Sequence, residues 1–316
     1  MPNITYLIGA GASANALPLI KKNTNNNICG LSQELNTFVQ ELVVFNSKFS
    51  SDEKMLLAEV TNKCIEFGTP DLYAKFLLET KDYQKYKVVK NLIIVYFTYK
   101  QNQKNAFDYR ALTFLTTIAQ DNRVPENIKV LSWNYDRQIE IAANKLKPFN
   151  SVENDIIKGF TCWPNCEEGQ DGNRYEGVPF LLHLNGVAGY NYCKRNFAEQ
   201  IAETDTQAIL NLNSEKLLSF AWETDPEDGK RTFIENRLSI AKKIAENTEV
   251  LVIIGYSFPF FNRKIDNEIF KSMKKLKKIY FQDPYNNGSY LKQRFDISLD
   301  IDHVLQTENY HIPFEL

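Results

Sequence analysis

The chain has 316 residues, of which 43% are hydrophobic and 24% are charged, and its formal net charge is −2. This length and composition allow a sizeable buried core and exclude a disordered chain, and the near-neutral charge gives no reason to expect direct nucleic-acid binding. No apolar run is long enough to span a bilayer, and the N-terminus lacks the features of a secretory signal. We therefore expect a cytoplasmic protein that contacts no membrane.

Short apolar runs alternate with helical patterns along the chain. The runs lie at 4–8, 128–133, 180–184, 250–254 and 278–282. Apolar residues at helical spacing occur at 31–43, 139–146 and 234–245. This alternation is typical of a mostly parallel sheet that is buried on both faces, so we predict an α/β protein with a Rossmann-like sheet.

The segment from Lys21 to Asp121 carries several helical patterns and no clear strand. We predict that it is a helical insertion in a single domain of residues 1–316, and that it caps a ligand cleft. Asn23 to Asn27 is expected to be a short polar loop. The glycines and the proline in residues 163–177 predict an exposed loop.

A glycine-rich sequence follows the first predicted strand. Gly9-Ala10-Gly11-Ala12-Ser13, with Ala14 after it, fits the pattern G-x-G-x-x-G/A. Glycines allow a sharp turn and a close approach to a pyrophosphate, whose charge the next helix start can face. The alternative is a tight strand-to-helix turn without a ligand. A dehydrogenase would also place an acidic residue after a second strand about 20 residues on, and this chain is Asn-rich and then helical there.

Polar residues follow the second and third predicted strands. Asn134 can donate to or accept from a ribose hydroxyl or a water, and Asp136 can accept from a hydroxyl. Both residues are equally suited to capping a helix. His183, one of three histidines with His303 and His311, ends the third strand and can act as a general base. The alternative for His183 is a satisfied core residue.

Two further turns follow the fourth and fifth strands. Gly255-Tyr256-Ser257 is a small-residue turn that could approach a cofactor, or simply a strand-to-helix loop. Asp283 could accept from an adenosine hydroxyl, or act as a turn residue before Pro284.

These turns, in this order, resemble the motifs of the sirtuin superfamily. Residues 9–13 resemble its first phosphate loop, and the N-Y-D sequence at 134–136 resembles the form found in bacterial sirtuin-like domains. Residues 183–186 resemble the catalytic histidine motif, with two residues inserted before the glycine. Residues 254–259 resemble the glycine-serine loop. The resemblance extends from Ile4 to about Asp283.

The chain departs from the protein deacylases of that superfamily at the zinc module. The deacylases carry paired C-x-x-C motifs, whereas this chain has an odd number of cysteines, with Cys162 and Cys166 separated by three residues and Cys193 more distant. Four thiolates cannot be gathered from this local set, so we expect no zinc module and no metal. The resemblance is therefore to the bacterial sirtuin-like NAD hydrolases, many of which act in antiviral defence by depleting NAD.

The resemblance implies hydrolysis of NAD to nicotinamide and ADP-ribose. Asn134 and His183 are the implied catalytic residues. The implied NAD-binding residues are Gly9, Ala10, Gly11, Ala12, Ser13, Asp136, Gly255, Tyr256, Ser257 and Asp283. The alternatives are a non-catalytic subunit that binds NAD or ADP-ribose in a defence complex, and an NAD-dependent deacylase or ADP-ribosyltransferase.

An unrestrained NAD hydrolase would kill its host, so the resemblance also implies a gate. The motifs occupy residues 4–283 and leave only residues 284–316 for a sensor, fewer than the roughly 40 that an unaided domain needs. We therefore expect a gate in trans, through homo-oligomerisation or a partner. A ring-forming translocase ATPase is the favoured partner and an Argonaute-type protein the less favoured one.

Overall fold

The computed structural model describes residues 1–19, 30–45, 49–101, 103, 106–146, 159–164, 178–188, 218–223 and 233–316. The chain divides into two compact units. The first comprises residues 1–13, 107–186 and 221–316, and the second comprises residues 14–106 and 187–220.

The first unit contains a parallel sheet. Its strands are Ile4–Ile8 (β1), Ile128–Ser132 (β2), Cys162–Trp163 (β3), Leu181–His183 (β4), Val250–Ile254 (β5), Lys278–Gln282 (β6) and Ile301–Val304 (β7). They lie in the order β3-β4-β2-β1-β5-β6-β7, and every neighbouring pair is parallel. The structure thus confirms the predicted α/β class with a Rossmann-like sheet.

The helices of the described ranges lie before, between and after these strands. In chain order they are Leu31–Phe45 (α1), Ser51–Glu66 (α2), Pro70–Glu79 (α3), Tyr83–Gln101 (α4), Tyr109–Ile118 (α5), Gln138–Lys145 (α6), Phe233–Asn247 (α7), Arg263–Ser272 (α8) and Tyr290–Phe295 (α9). None of the described helices is both long and apolar enough to cross a membrane.

The sheet separates two apolar clusters because successive side chains of a strand point to opposite faces. On β1, Tyr6 faces the cluster that contains residues of α5 and α6. Leu7 faces the cluster that contains residues of α7, α8 and α9. Both faces of the central strands are therefore buried, which explains why these strands read as continuous apolar runs.

The predicted helical insertion is present between β1 and β2. Helices α1 to α4 belong to the second unit, whereas α5 belongs to the unit that contains the sheet. Local sequence sets the helix starts: Ser50 and Glu53 form a capping box at α2, and Thr69 caps α3, which begins with Pro70. The predicted Asn23–Asn27 loop lies outside the described residues.

Residues 163–177 were expected to form an exposed loop, and this prediction is wrong at its start. Trp163 belongs to β3 and is only 2% exposed, and Pro164 is also buried. An indole buried against Leu182 and its neighbours stabilises a strand that is too short to be recognised by its own pattern. Residues 165–177 lie outside the described part of the chain.

Candidate functional site

The last residues of five neighbouring strands lie in one row across the sheet. Ile8 pairs with Ser132 and Ile254, Ser132 pairs with His183, and Ile254 pairs with Gln282. The segments that carry the predicted site residues all start at or just after this row. Because the strands are parallel, these segments meet at the carboxyl edge of the sheet, where ligands bind in open α/β folds.

The glycine loop packs directly against the loop after β5. A Cβ on Gly9 would lie 2.7 Å from the Gly255 carbonyl oxygen, and one on Gly11 would lie 2.7 Å from the Gly255 Cα. A Cβ on Gly255, whose φ is +55°, would lie 2.5 Å from the Gly11 backbone. These glycines are therefore required by the contact between two protein loops, independently of any ligand.

The glycine loop also uses much of its own backbone hydrogen bonding. The amides of Gly9 and Gly11 donate to the carbonyl oxygens of Ile254 and Gly255, both at 3.0 Å, and the Ala12 amide donates to Gly9 at 2.9 Å. These three N–H groups are thus engaged within the protein. The tight-turn alternative describes their arrangement better than a phosphate cradle does.

Ser13 joins the glycine loop to the residues that follow β2. The Asn134 amide donates to the Ser13 hydroxyl at 3.2 Å, and the Ser13 hydroxyl in turn hydrogen-bonds the Asp136 carboxylate. Burial raises the pKa of Asp136 to about 6, although its hydrogen bonds and the nearby His183 oppose the shift. The Asp136 carboxylate also accepts from the Gln138 amide, the first of α6, at 3.1 Å, although the N-cap residue itself is Arg137, which makes no side-chain cap hydrogen bond.

His183 is paired with a carboxylate that the sequence did not indicate. Its Nε2 lies 3.0 Å from Oε1 of Glu140, and the same oxygen accepts from Arg137 Nε at 3.2 Å. Burial raises the pKa of Glu140, but the attraction of His183 and Arg137 outweighs it and lowers that pKa to about 2. The carboxylate is therefore ionised at neutral pH.

These two groups of residues form one buried polar cluster. His183 is 2% exposed and Asn134 is 6% exposed, and Ser13, Asp136 and Glu140 are buried as well. Ser13, Asp136, Glu140, His183 and Tyr310 line the same small gap. The buried Asn185 amide donates to the Trp133 carbonyl oxygen at 3.1 Å, next to Asn134 in the chain.

The remaining predicted residues lie at the same edge but in different surroundings. The Tyr256 side chain is buried, and its hydroxyl donates to Asp266 and accepts from Asn262. Ser257 is exposed. The Asp283 carboxylate accepts from the backbone amides of Tyr285 and Asn286, which is the turn role that the sequence allowed. Ligand contacts by these three residues stay predictions.

Among the described residues, no group of three or more His, Cys, Asp or Glu side chains could hold a metal ion. Cys162 is a half-buried thiol, and Cys166 and Cys193 lie outside the described ranges. The described part of the chain thus contains no zinc module.

Sequence reasoning missed Glu140, Arg137 and Tyr310 as members of the site. Arg137 and Glu140 are three residues apart at the start of a helix, a spacing typical of a solvent-exposed ion pair. One signal could have identified Glu140. It lies in a short helix next to Ile139, Ala142 and Ala143, whose apolar side chains indicate that this part of the helix is buried.

Comparison of the sequence with protein-family models and with curated proteins finds no match. The fold defines an α/β protein with a Rossmann-like sheet, and the function must be inferred from the chemistry of the buried cluster.

Proposed function

We propose that the protein hydrolyses NAD to nicotinamide and ADP-ribose at the carboxyl edge of its sheet. The observation that carries the proposal is the buried cluster of Ser13, Asn134, Asp136, Glu140 and His183, which joins an imidazole, an amide and two carboxyl groups. Buried titratable groups with shifted pKa values at a strand edge are characteristic of catalytic sites.

The cluster suits cleavage of the bond between nicotinamide and ribose. In the proposed reaction a water oxygen attacks the ribose C1″ as the C1″–N bond breaks, and nicotinamide leaves as a neutral molecule. His183 accepts the proton of the water and later releases it to solvent. The transition state is cationic at the ribose, as in glycoside cleavage, and the Asp136 carboxylate, ionised above about pH 6, would stabilise that charge. Asn134 holds the ribose hydroxyls or the water.

In this proposal the glycine loop mainly forms a rigid wall. The pyrophosphate approaches the loop closely, but not through the amides of Gly9, Gly11 and Ala12, which already donate to carbonyl oxygens. Ser257 and Asp283 extend toward the adenosine. NAD is the substrate, and no metal takes part.

A non-catalytic protein that binds NAD or ADP-ribose is the second candidate function. It is favoured by the closure of the cluster, since His183 and Asn134 are almost inaccessible to solvent. If the protein hydrolyses NAD, the closed cluster is its resting state, and the protein is an effector of antiphage defence whose activity is gated. Self-assembly, a ring-forming translocase ATPase or, less favoured, an Argonaute-type partner would stabilise an open state that admits NAD.

The test is to incubate the purified chain with NAD and identify the products by chromatography, over a range of protein concentrations. We expect nicotinamide and ADP-ribose in equal amounts. Asn134→Ala and His183→Ala should each reduce turnover by about a hundredfold or more, the range expected for a positioned base. Asn62→Ala, which changes an exposed asparagine of α2, is the matched control.

Two outcomes would contradict the proposal. Full activity in the Asn134 or His183 variant would remove that residue from the mechanism. Calorimetric binding of NAD without product at any concentration would favour the non-catalytic role.

A further inference from the structure

We propose that Glu140 is a positioning residue that holds His183 with its proton on Nε2, so that Nδ1 is the atom that accepts the proton of the reacting hydroxyl or water. The inference rests on the proposed function for its catalytic part. Its structural part, the tautomer of His183, can be tested without any assumption about NAD.

The geometry around the Glu140 carboxylate dictates where the imidazole proton lies. Oε1 accepts from Arg137 Nε at 3.2 Å and lies 3.0 Å from His183 Nε2. The Arg137 guanidinium is always charged and favours the ionised form of this carboxylate also when the imidazole is neutral. An ionised carboxylate has no proton to donate, so His183 Nε2 is the donor in this contact. A neutral imidazole with its proton on Nε2 carries its lone pair on Nδ1.

The other ring nitrogen indicates where a ligand would bind. His183 Nδ1 is buried and has no hydrogen-bond partner among the described residues. Buried polar atoms nearly always have a partner, so an atom without one calls for an explanation, of which a bound water or ligand is one. His183 lines the same gap as Ser13 and Asp136, which is too narrow for a water in this structure. A hydroxyl or water is therefore the expected partner of Nδ1 in the open state that admits NAD.

The backbone of His183 and its imidazole ring are each held by a neighbouring element. Ser132 and His183 are paired in the sheet, and the Leu184 amide donates to the Ser132 carbonyl oxygen at 2.7 Å. Glu140 approaches from α6. The ring is thereby held by a strand and a helix, which is the arrangement that a precisely oriented base requires.

The first experiment determines the tautomer by nitrogen NMR on protein labelled with ¹⁵N-histidine. The chain has three histidines, and His183→Asn identifies the signal of interest. We expect neutral His183 to carry its proton on Nε2 in the unmodified protein. In Glu140→Gln the amide can donate as well as accept, so the Nδ1–H tautomer should become populated.

The matched control is Glu126→Gln, which makes the same chemical change at a side chain that is 84% exposed. It should leave the His183 signal unchanged. Circular dichroism and thermal unfolding establish that each variant is folded, and the tautomer of the unmodified protein is determined without Glu140→Gln. A ring protonated on Nδ1 in the unmodified protein, or the same tautomer in Glu140→Gln, would overturn the inference.

The second experiment measures NAD turnover in the same variants. Glu140→Gln should lower kcat by at least about a hundredfold with little change in KM, since an imidazole held in the wrong tautomer reduces kcat by about ten-thousandfold in Ser-His-Asp triads. If the unmodified protein cleaves no NAD, the proposed function fails while the spectrum still decides the role of Glu140. If it cleaves NAD and Glu140→Gln is equally fast, only the inference fails.

Discussion

At the scale of single residues, the glycines of the carboxyl edge show how one sequence pattern can serve two physical purposes. A glycine that approaches a phosphate and a glycine that approaches another loop look the same in the sequence. Here Gly9 and Gly11 lie against the backbone of Gly255 and Tyr256. Their conformational requirement comes from that contact, and any ligand must bind to the surface that the contact leaves.

The contact between the loops makes Gly255 intolerant of a side chain. Gly255→Ala places a Cβ 2.5 Å from the Gly11 backbone, at a φ of +55°. The positive φ alone costs an alanine about 1–2 kcal/mol, and forcing apart close-packed groups adds about 1–3 kcal/mol. Gly68→Ala is the control, because Gly68 has a φ of +85° and a Cβ at that position would meet no atom within 4 Å.

Urea unfolding of the two variants measures the difference. Gly255→Ala should be destabilised more than Gly68→Ala by at least about 1 kcal/mol, the lower limit of the overpacking term. Equal losses in the two variants would show that the loops can separate without penalty.

The site was predictable from the sequence only where its residues follow the strand ends. Asn134, Asp136 and His183 could be placed together, because parallel strands bring their carboxyl ends to one edge. Glu140 could not, because its burial depends on the packing of α6 against the sheet. A charged residue in a short helix gives no local sign that a histidine from a distant strand will bind it.

At the scale of elements, the strongest predictions concern strands that are buried on both faces. The strands β1, β5 and β6 have the predicted bounds, and β2 and β4 differ from them by a residue at one or both ends. The strand β7 was not predicted, because an edge strand with partly exposed residues has no continuous apolar run. The two residues of β3 are too few to form a pattern.

The segment after β7 is an element without regular structure, and tertiary hydrogen bonds fix it. The Gln282 side chain donates to the carbonyl oxygens of Gln306 and Asn309 and accepts from the His311 amide. The Tyr310 hydroxyl donates to the Ala12 carbonyl oxygen at 2.7 Å. The segment thus holds the glycine loop through the hydrogen bond between Tyr310 and Ala12. No local sequence pattern could indicate this contact.

We predict that Tyr310→Phe destabilises the protein by about 1 kcal/mol, the usual contribution of one buried hydrogen bond. The loss stays small because the Ala12 carbonyl oxygen still accepts from Arg110 Nη2 at 3.1 Å. Tyr290→Phe is the matched control, since the Tyr290 hydroxyl has no hydrogen-bond partner among the described residues, and its removal should leave stability unchanged or slightly higher. Equal stabilities of the two variants, measured by urea unfolding, would contradict a supporting role for Tyr310.

At the scale of the whole molecule, buried acids make folding stability depend on pH. Burial raises the pKa of Asp266 to about 7, even though Tyr256 and Arg294 oppose the shift. Burial likewise raises the pKa of Asp136 to about 6. In the unfolded chain both carboxyl groups release their protons near pH 4. Between about pH 4 and 7 the folded protein therefore binds more protons at these two groups than the unfolded chain does, and their contribution to stability falls as the pH rises.

Asp266→Asn removes one of these groups and retains a side chain that can hydrogen-bond Tyr256. The free energy of unfolding should then fall less steeply than in the unmodified protein between about pH 4 and 7, by up to about 1.4 kcal/mol per pH unit for one proton. The difference should level off above about pH 7, where Asp266 is ionised in both states, and other groups cancel because both proteins share them. Urea unfolding at several pH values measures the two slopes, with Asp121→Asn, at an exposed aspartate, as the control. Parallel curves for Asp266→Asn and the unmodified protein would mean that Asp266 is already ionised in the folded state at low pH.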